Sequence, residues 1–122
     1  MKVLLSIKPE YANRIFDGTK KFEYRRSIFK DASVTSVVVY ASAPVQKVIG
    51  EFEIDGIRQD SPEGLWRTTG DYAGIAQDKL LAYFSGKASG YAIEVGALTK
   101  YPRPRTLRSF AVKAPPQSFV YI

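Results

Sequence analysis

The chain contains no cysteine and no histidine. Without cysteine there is neither a disulfide framework nor a thiolate nucleophile. Without histidine the Ser-His-Asp and Cys-His mechanisms drop out, as does every imidazole metal site. Carboxylates alone can still hold a metal, but no acidic cluster here has calcium-loop spacing. No metal and no cofactor is therefore expected. Long apolar runs are missing too. Met1-Lys2-Val3-Leu4-Leu5 is too short for a secretion signal, and nothing approaches the roughly 20 apolar residues of a membrane span. The expectation is a cytoplasmic protein that does not engage a membrane.

What is present is an ordinary globular balance: 122 residues, 45% hydrophobic and 25% charged. That length suits one domain over residues 1–122 with one core. The net charge of +6 is unevenly spread. Residues 1–30 carry eight cations and three anions, residues 31–99 five and nine, and residues 100–122 five and none. If the two basic ends meet in space they form one strongly positive surface, which attracts a polyanion.

Punctuation along the chain divides it into short elements. Val3–Ile7 reads as a buried strand, and Pro9 suits the first turn of a helix that Gly18 ends. Lys20–Arg26 alternates polar and apolar side chains at a strand's period of two. Val34–Ala41 is β-branched and aromatic throughout, as in a strand buried on both faces. Lys47–Ile57 is a further strand, with Gly50 marking a bulge. Ser61-Pro62 opens a short helix with Ser61 as its cap. Asp71–Phe84 reads as a second helix with Ile75, Leu80, Leu81 and Phe84 as its stripe. Gly90–Thr99 is a strand, Tyr101-Pro102-Arg103-Pro104-Arg105 an extended basic segment, and Phe119–Ile122 a last strand. The order β-α-β-β-β-α-α-β-β predicts an α+β fold: a small, curved, mostly antiparallel sheet or barrel with peripheral helices.

The densest chemistry lies in Gly18-Thr19-Lys20-Lys21-Phe22-Glu23-Tyr24-Arg25-Arg26. One carboxylate stands among four cations, where Glu23 can orient a neighbouring Lys or Arg and leave the others for an anionic ligand. The competing reading is a solvated ladder of weak ion pairs.

This segment resembles the signature of the ASCH family, a branch of the PUA-like superfamily: Gly-x-Lys-x-x-Glu-x-Arg after the first helix. Here it reads Gly18, Lys20, Glu23 and Arg25. Leu5-Ser6-Ile7-Lys8-Pro9 before it, and Tyr40-Ala41-Ser42-Ala43-Pro44 with Val48-Ile49-Gly50-Glu51-Phe52 after it, also look similar to the family. Pro115-Pro116-Gln117-Ser118-Phe119 resembles the closing segment of a transcriptional-regulator subgroup. The resemblance implies a PUA-like barrel with a cleft beside the first helix. It also implies a ligand that is RNA or a modified nucleotide, with DNA as the other nucleic acid to test. A few small members are enzymes, one an amidohydrolase of N4-acetylcytidine and one a ribonuclease. The amidohydrolase has a threonine where Glu23 stands, and Thr19 is in the wrong register to replace it.

The expected ligand-binding residues are Ser6, Lys8, Lys20, Glu23, Arg25, Arg26, Ser42, Trp66, Arg103 and Arg105. Lys20 and Arg25 would hold a phosphate or a base carbonyl, and Glu23 would accept from a base amino group. If the protein is an enzyme, Lys20 and Glu23 are the acid–base pair acting on a water. Lys8 opens a helix whose amides can meet an anion. Trp66 is the stacking candidate, ahead of Tyr24, Tyr40 and Tyr72, against the commoner fate of core packing. Arg103 and Arg105, with Lys100 and Arg108 nearby, project from a stiff segment suited to a phosphate backbone. A protein-interaction module is the third function class, and it calls for an exposed apolar patch in place of a charged cleft.

Overall fold

The computed structural model describes residues 1–122. Six strands, β1 (Lys2–Ile7), β2 (Phe22–Arg25), β3 (Ser36–Ala41), β4 (Lys47–Asp60), β5 (Gly90–Arg105) and β6 (Phe119–Tyr121), form one sheet in the order β2-β5-β4-β3-β1-β6. Only β1 and β3 run parallel; the other four pairings are antiparallel. Three helices, α1 (Pro9–Phe16), α2 (Pro62–Thr69) and α3 (Gln77–Tyr83), accompany it. The α+β expectation and the element order hold. The barrel is open, because β2 and β6 are the two ends of the sheet.

Curvature comes from the long antiparallel β4–β5 pair, whose register shifts three times, between Val48 and Gly50, Phe52 and Ile54, and Ile54 and Gly56. Each shift kinks the ladder and raises its twist, so the sheet curls into a half-barrel. The bulge expected at Gly50 falls on its neighbour Ile49, which both flanking ladders skip.

The continuous apolar run of β3 is buried on both faces, as its composition implied. Val37, Val39 and Ala41 face Val3, Leu5, Ile7, Phe52 and Ile93, and α1 closes this core with Ala12 and Ile15. Burying a side chain such as Ile15 contributes about 1.5–3 kcal/mol. Val38 and Tyr40 turn to the opposite face with Leu4 and Val48, beneath Leu107, Phe110, Val112 and Val120 of the C-terminal segment. A third cluster packs α2 and α3 onto β2 and β5 through Phe22, Tyr24, Leu65, Ala73, Leu80, Phe84 and Ala92.

Two expectations need correction. Asp71–Phe84 is not one helix: a 3₁₀ turn at Gly70–Tyr72 is separated from α3 by Gly74, at φ +63°. The basic segment 101–105 is extended as expected, but as the end of β5 and not as a separate piece after a strand ending at Thr99. Pro102 and Pro104 are tolerated there because β2 pairs only with Tyr91–Glu94, which leaves this stretch an unpaired edge. Other boundaries moved by a few residues. Ser61 caps α2 as expected, its hydroxyl accepting from the Gly64 amide at 3.0 Å.

Candidate ligand-binding cavity

A cavity of about 730 Å³ opens between α1, β2, α3 and the segment preceding β6. That volume lies within the range of small-molecule and nucleotide pockets. The backbone explains how the motif reaches it. Gly18 takes φ +88°, which reverses the chain at the end of α1, and the Lys20 amide then donates to Arg14 O at 2.9 Å. Lys21 is pinned on both sides, its amide to Tyr72 O and its carbonyl to the Val95 amide. From there β2 runs extended and sends Glu23 and Arg25 to one face and Phe22 and Tyr24 to the other.

The charged face is not the solvated ladder of the competing reading. Lys20 is 2% exposed and Glu23 7%. Lys20 Nζ donates to Ala73 O at 2.7 Å and lies 4.8 Å from the Tyr24 ring centre and 5.4 Å from that of Tyr11. Burial lowers its pKa to about 8, against the opposing pull of Glu23. Burial likewise raises the Glu23 carboxyl, opposed by Lys20 and Arg25. Arg25 donates to Glu23 at 3.4 Å, to Ser118 O at 2.9 Å and to Ser6 O at 3.4 Å.

The hydrogen-bonding capacity of this group is largely unspent. An ammonium has three N–H groups and Lys20 uses one within the protein. A carboxylate accepts at about four positions and Glu23 receives one long bond. Both residues are among those lining the cavity. Buried charge of this kind is costly unless partnered, and a ligand can supply the partners.

Of the expected residues, Ser6, Lys8, Lys20, Glu23, Arg25 and Arg26 come together around this cavity. Ser6 Oγ donates to Pro116 O at 2.9 Å, so its hydroxyl is occupied. Lys8 stands at the rim, but the start of α1 is a poor anion site. Pro9 has no amide hydrogen, the Tyr11 and Ala12 amides bond to Lys8 O, and the Glu10 carboxylate lines the same rim. Arg26 lies over the Tyr83 ring at 5.1 Å. Ser42, Trp66, Arg103 and Arg105 are not brought in. Ser42 forms the β3–β4 turn, where its carbonyl accepts from Val45. Trp66 packs half-buried against the α2–α3 cluster, as the core reading had it. Tyr40 is buried beneath the C-terminal segment. Tyr72 is exposed, with Lys21 over its ring, outside the cavity. Arg103 and Arg105 sit exposed on β5.

The sequence reading missed the far walls. Lys79 and Tyr83, one turn apart on α3, form the roof, and Tyr11, Gln117 and Ser118 the sides. The i, i+4 spacing of Lys79 and Tyr83 was available as a signal, but the apolar stripe of the same helix masked it.

Gly74 supports the seat of Lys20. A Cβ placed there would lie 2.4 Å from Lys20 Cβ, on a backbone already at positive φ. Gly74→Ala is therefore expected to lose about 1–2 kcal/mol of stability and to displace Lys20. Thermal melts and a ligand titration check this; an unchanged melt with full binding would refute it.

Comparison with known proteins places this geometry. A family model described as a domain of unknown function (DUF365) matches residues 1–114. The crystal structure of ASCH from Zymomonas mobilis superposes with a TM-score of 0.90 at 30% identity, covering 99% of this chain and 87% of that one. An ASCH domain-containing ribonuclease of the same species is 32% identical over 75% of this chain and 64% of its own length. The ATP synthase subunit alpha of Ureaplasma parvum is 30% identical over 98% of this chain, which spans only 15% of that protein. On this match and this structural similarity, the chain belongs to the DUF365 family and is an ASCH domain protein.

Proposed function

We propose that the cavity binds one base of RNA or of a free nucleotide, with Lys20, Glu23 and Arg25 as the reading group. One observation carries this: a buried lysine and a buried carboxylate keep unspent hydrogen-bonding capacity at the floor of a nucleotide-sized cavity. An adjacent acceptor and donor suit a base with an amino group beside an unprotonated ring nitrogen on its pairing edge, as in cytosine or adenine. Glu23 would accept from the amino group, and Lys20 would donate to the neighbouring acceptor. An unpaired base is required, because the edge being read is the one that pairing would occupy. The similarity to an ASCH domain-containing ribonuclease favours RNA over other sources of such a base. A part in transcription regulation would act through the same contact.

A second reading, a small hydrolase acting on RNA or on a modified nucleoside, is favoured by the state of Lys20. With its pKa at about 8, part of the population is neutral near pH 7 and can take a proton from a hydroxyl or a water. The two readings differ in sign with pH. As a cationic donor Lys20 serves binding below about pH 8, so affinity falls as pH rises through that value. As a base it serves turnover above it, so the rate climbs through the same range. The experiment titrates the protein with cytidine and adenosine 5′-monophosphates and with short single-stranded RNA between pH 6 and pH 9, and assays the RNA for cleavage. Binding lost in Lys20→Met and weakening with pH supports the reader. Product that rises with pH supports the hydrolase. Neither binding nor product, in protein that is folded, refutes both.

A further inference from the structure

Lys8, Lys47 and Arg105 are distant in sequence but share one end of the sheet. β1 ends at Ile7 beside Ala41, which pairs with Lys47, and the next residue of β4, Val48, pairs with Arg105. All three cations are exposed and none has a carboxylate within ion-pair distance; the two ion pairs of the protein are Lys2–Glu51 and Arg25–Glu23. The Arg105 charge reaches Glu51, but the Glu51 oxygens are already held by Lys2 Nζ and Tyr101 Oη, each at 2.7 Å. Arg105 lies over the Phe110 ring at 4.3 Å. Stacking uses the face of a guanidinium and leaves its edge N–H groups pointing outward, which presents a pre-oriented phosphate donor. Beyond Arg105 the chain forms a second cavity of about 680 Å³, lined among others by Gln46, Thr106, Arg108 and Lys113. Residues 100–122 contain no acidic side chain to oppose a polyanion.

We propose that single-stranded RNA whose base occupies the first cavity leaves it at Lys8 and runs across this end of the sheet, over Lys47, to Arg105, Arg108 and Lys113. The proposal rests on the reading of the first cavity as a base site. Three strand spacings of about 4.8 Å separate β1 from β5, or about 14 Å. A stacked strand advances about 3.4 Å per nucleotide, so the track holds about four phosphates. The phosphates fix register and add affinity without reading sequence, while the cavity reads one base.

Cytidylate oligomers of one to eight nucleotides test this by fluorescence anisotropy across a salt series. Affinity is expected to rise with length to about five nucleotides and then level off, with a salt slope for the octamer of about −2.8. Between 50 and 200 mM salt that amounts to about a 50-fold loss. Arg105→Gln with Arg108→Gln should flatten the slope by about 1.4 and leave binding of the mononucleotide unchanged. Because Arg105 also packs on Phe110, Lys47→Gln with Lys113→Gln, which stack on no ring, repeats the measurement without that risk. Arg67→Gln with Lys87→Gln removes the same charge away from the track and should leave the slope alone. Affinity independent of length, or equal flattening by that control pair, would overturn the track. If Lys20→Met leaves all binding intact while the Arg105 and Arg108 pair still flattens the slope, the track stands and the base-site reading falls.

Discussion

Replacing Lys20 and Glu23 together, as Lys20→Met with Glu23→Gln, is expected to raise stability by about 1 kcal/mol, or about 4 °C in melting temperature, while abolishing ligand binding. Both groups are buried and both are pushed toward their neutral forms by burial. Lys20 and Glu23 are not in ion-pair contact, but each feels the other's charge, and exchanging both buried charges for uncharged groups of similar volume removes both desolvation costs at once. The single changes behave differently. Lys20→Met leaves the Glu23 carboxylate with Arg25 alone, and Glu23→Gln leaves Lys20 without its opposing charge. Each single variant should be less stable than the pair's sum implies, and the double-mutant cycle should return a coupling of at least 1 kcal/mol. The wild type carries a pH signature of the same cost. Between about pH 8 and 10 the unfolded chain holds a proton on Lys20 that the folded chain has released, so stability climbs with pH. Above about pH 10 the trend reverses, because Tyr24 keeps its proton to about 12 when folded but not when unfolded, and Tyr101, raised by burial and by Glu51, acts in the same direction. The double variant should lack the climb and keep the fall. A double variant that melts below the wild type by the sum of the two singles would mean that the pair supports the fold and is not reserved for a ligand.

The elements that sequence reading placed well are those whose ends carry their own chemistry. Pro9 and Gly18 bracket α1, Ser61-Pro62 starts α2, and the β-branched run of β3 is buried on both faces. What could not be read depends on partners far along the chain. The break at Gly74 follows from the need to pass the backbone against Lys20, 54 positions earlier, and no local pattern records that contact. The prolines near the end of β5 argue against a strand until the shortness of β2 reveals a free edge. The site divides in the same way. Lys20, Glu23 and Arg25 belong to one local motif and were legible as a group, yet their burial was not, because it is imposed by Tyr11, Ala73 and α3. A lysine beside a glycine turn reads as solvated in sequence, and only the fold makes it a buried charge with donors to spare.

Arg25→Ala is expected to lose about 2–3 kcal/mol, lowering the melting temperature by about 10 °C. Arg25 sits where the curled sheet brings its two ends near each other, on β2 at one edge and facing the segment that leads into β6 at the other. Its guanidinium joins Ser118 O, Ser6 O and the Glu23 carboxylate, three acceptors from separate parts of the chain. Truncation leaves all three without that donor and removes a compensating charge from buried Glu23. Arg25→Lys should recover only part of the loss, since a single ammonium cannot span acceptors that a planar fork reaches together. Adding Glu23→Gln to Arg25→Ala should recover part of it by another route, because no orphan carboxylate then remains. Ligand binding should follow a different order. It should stay weak in both Arg25→Lys and the double variant, because Gln117 and Ser118, which wall the cavity, depend on the same clasp. A melting temperature within about 3 °C of wild type for Arg25→Ala would show that β6 and its leading segment hold the half-barrel shut without it. The motif's arginine would then serve the ligand alone.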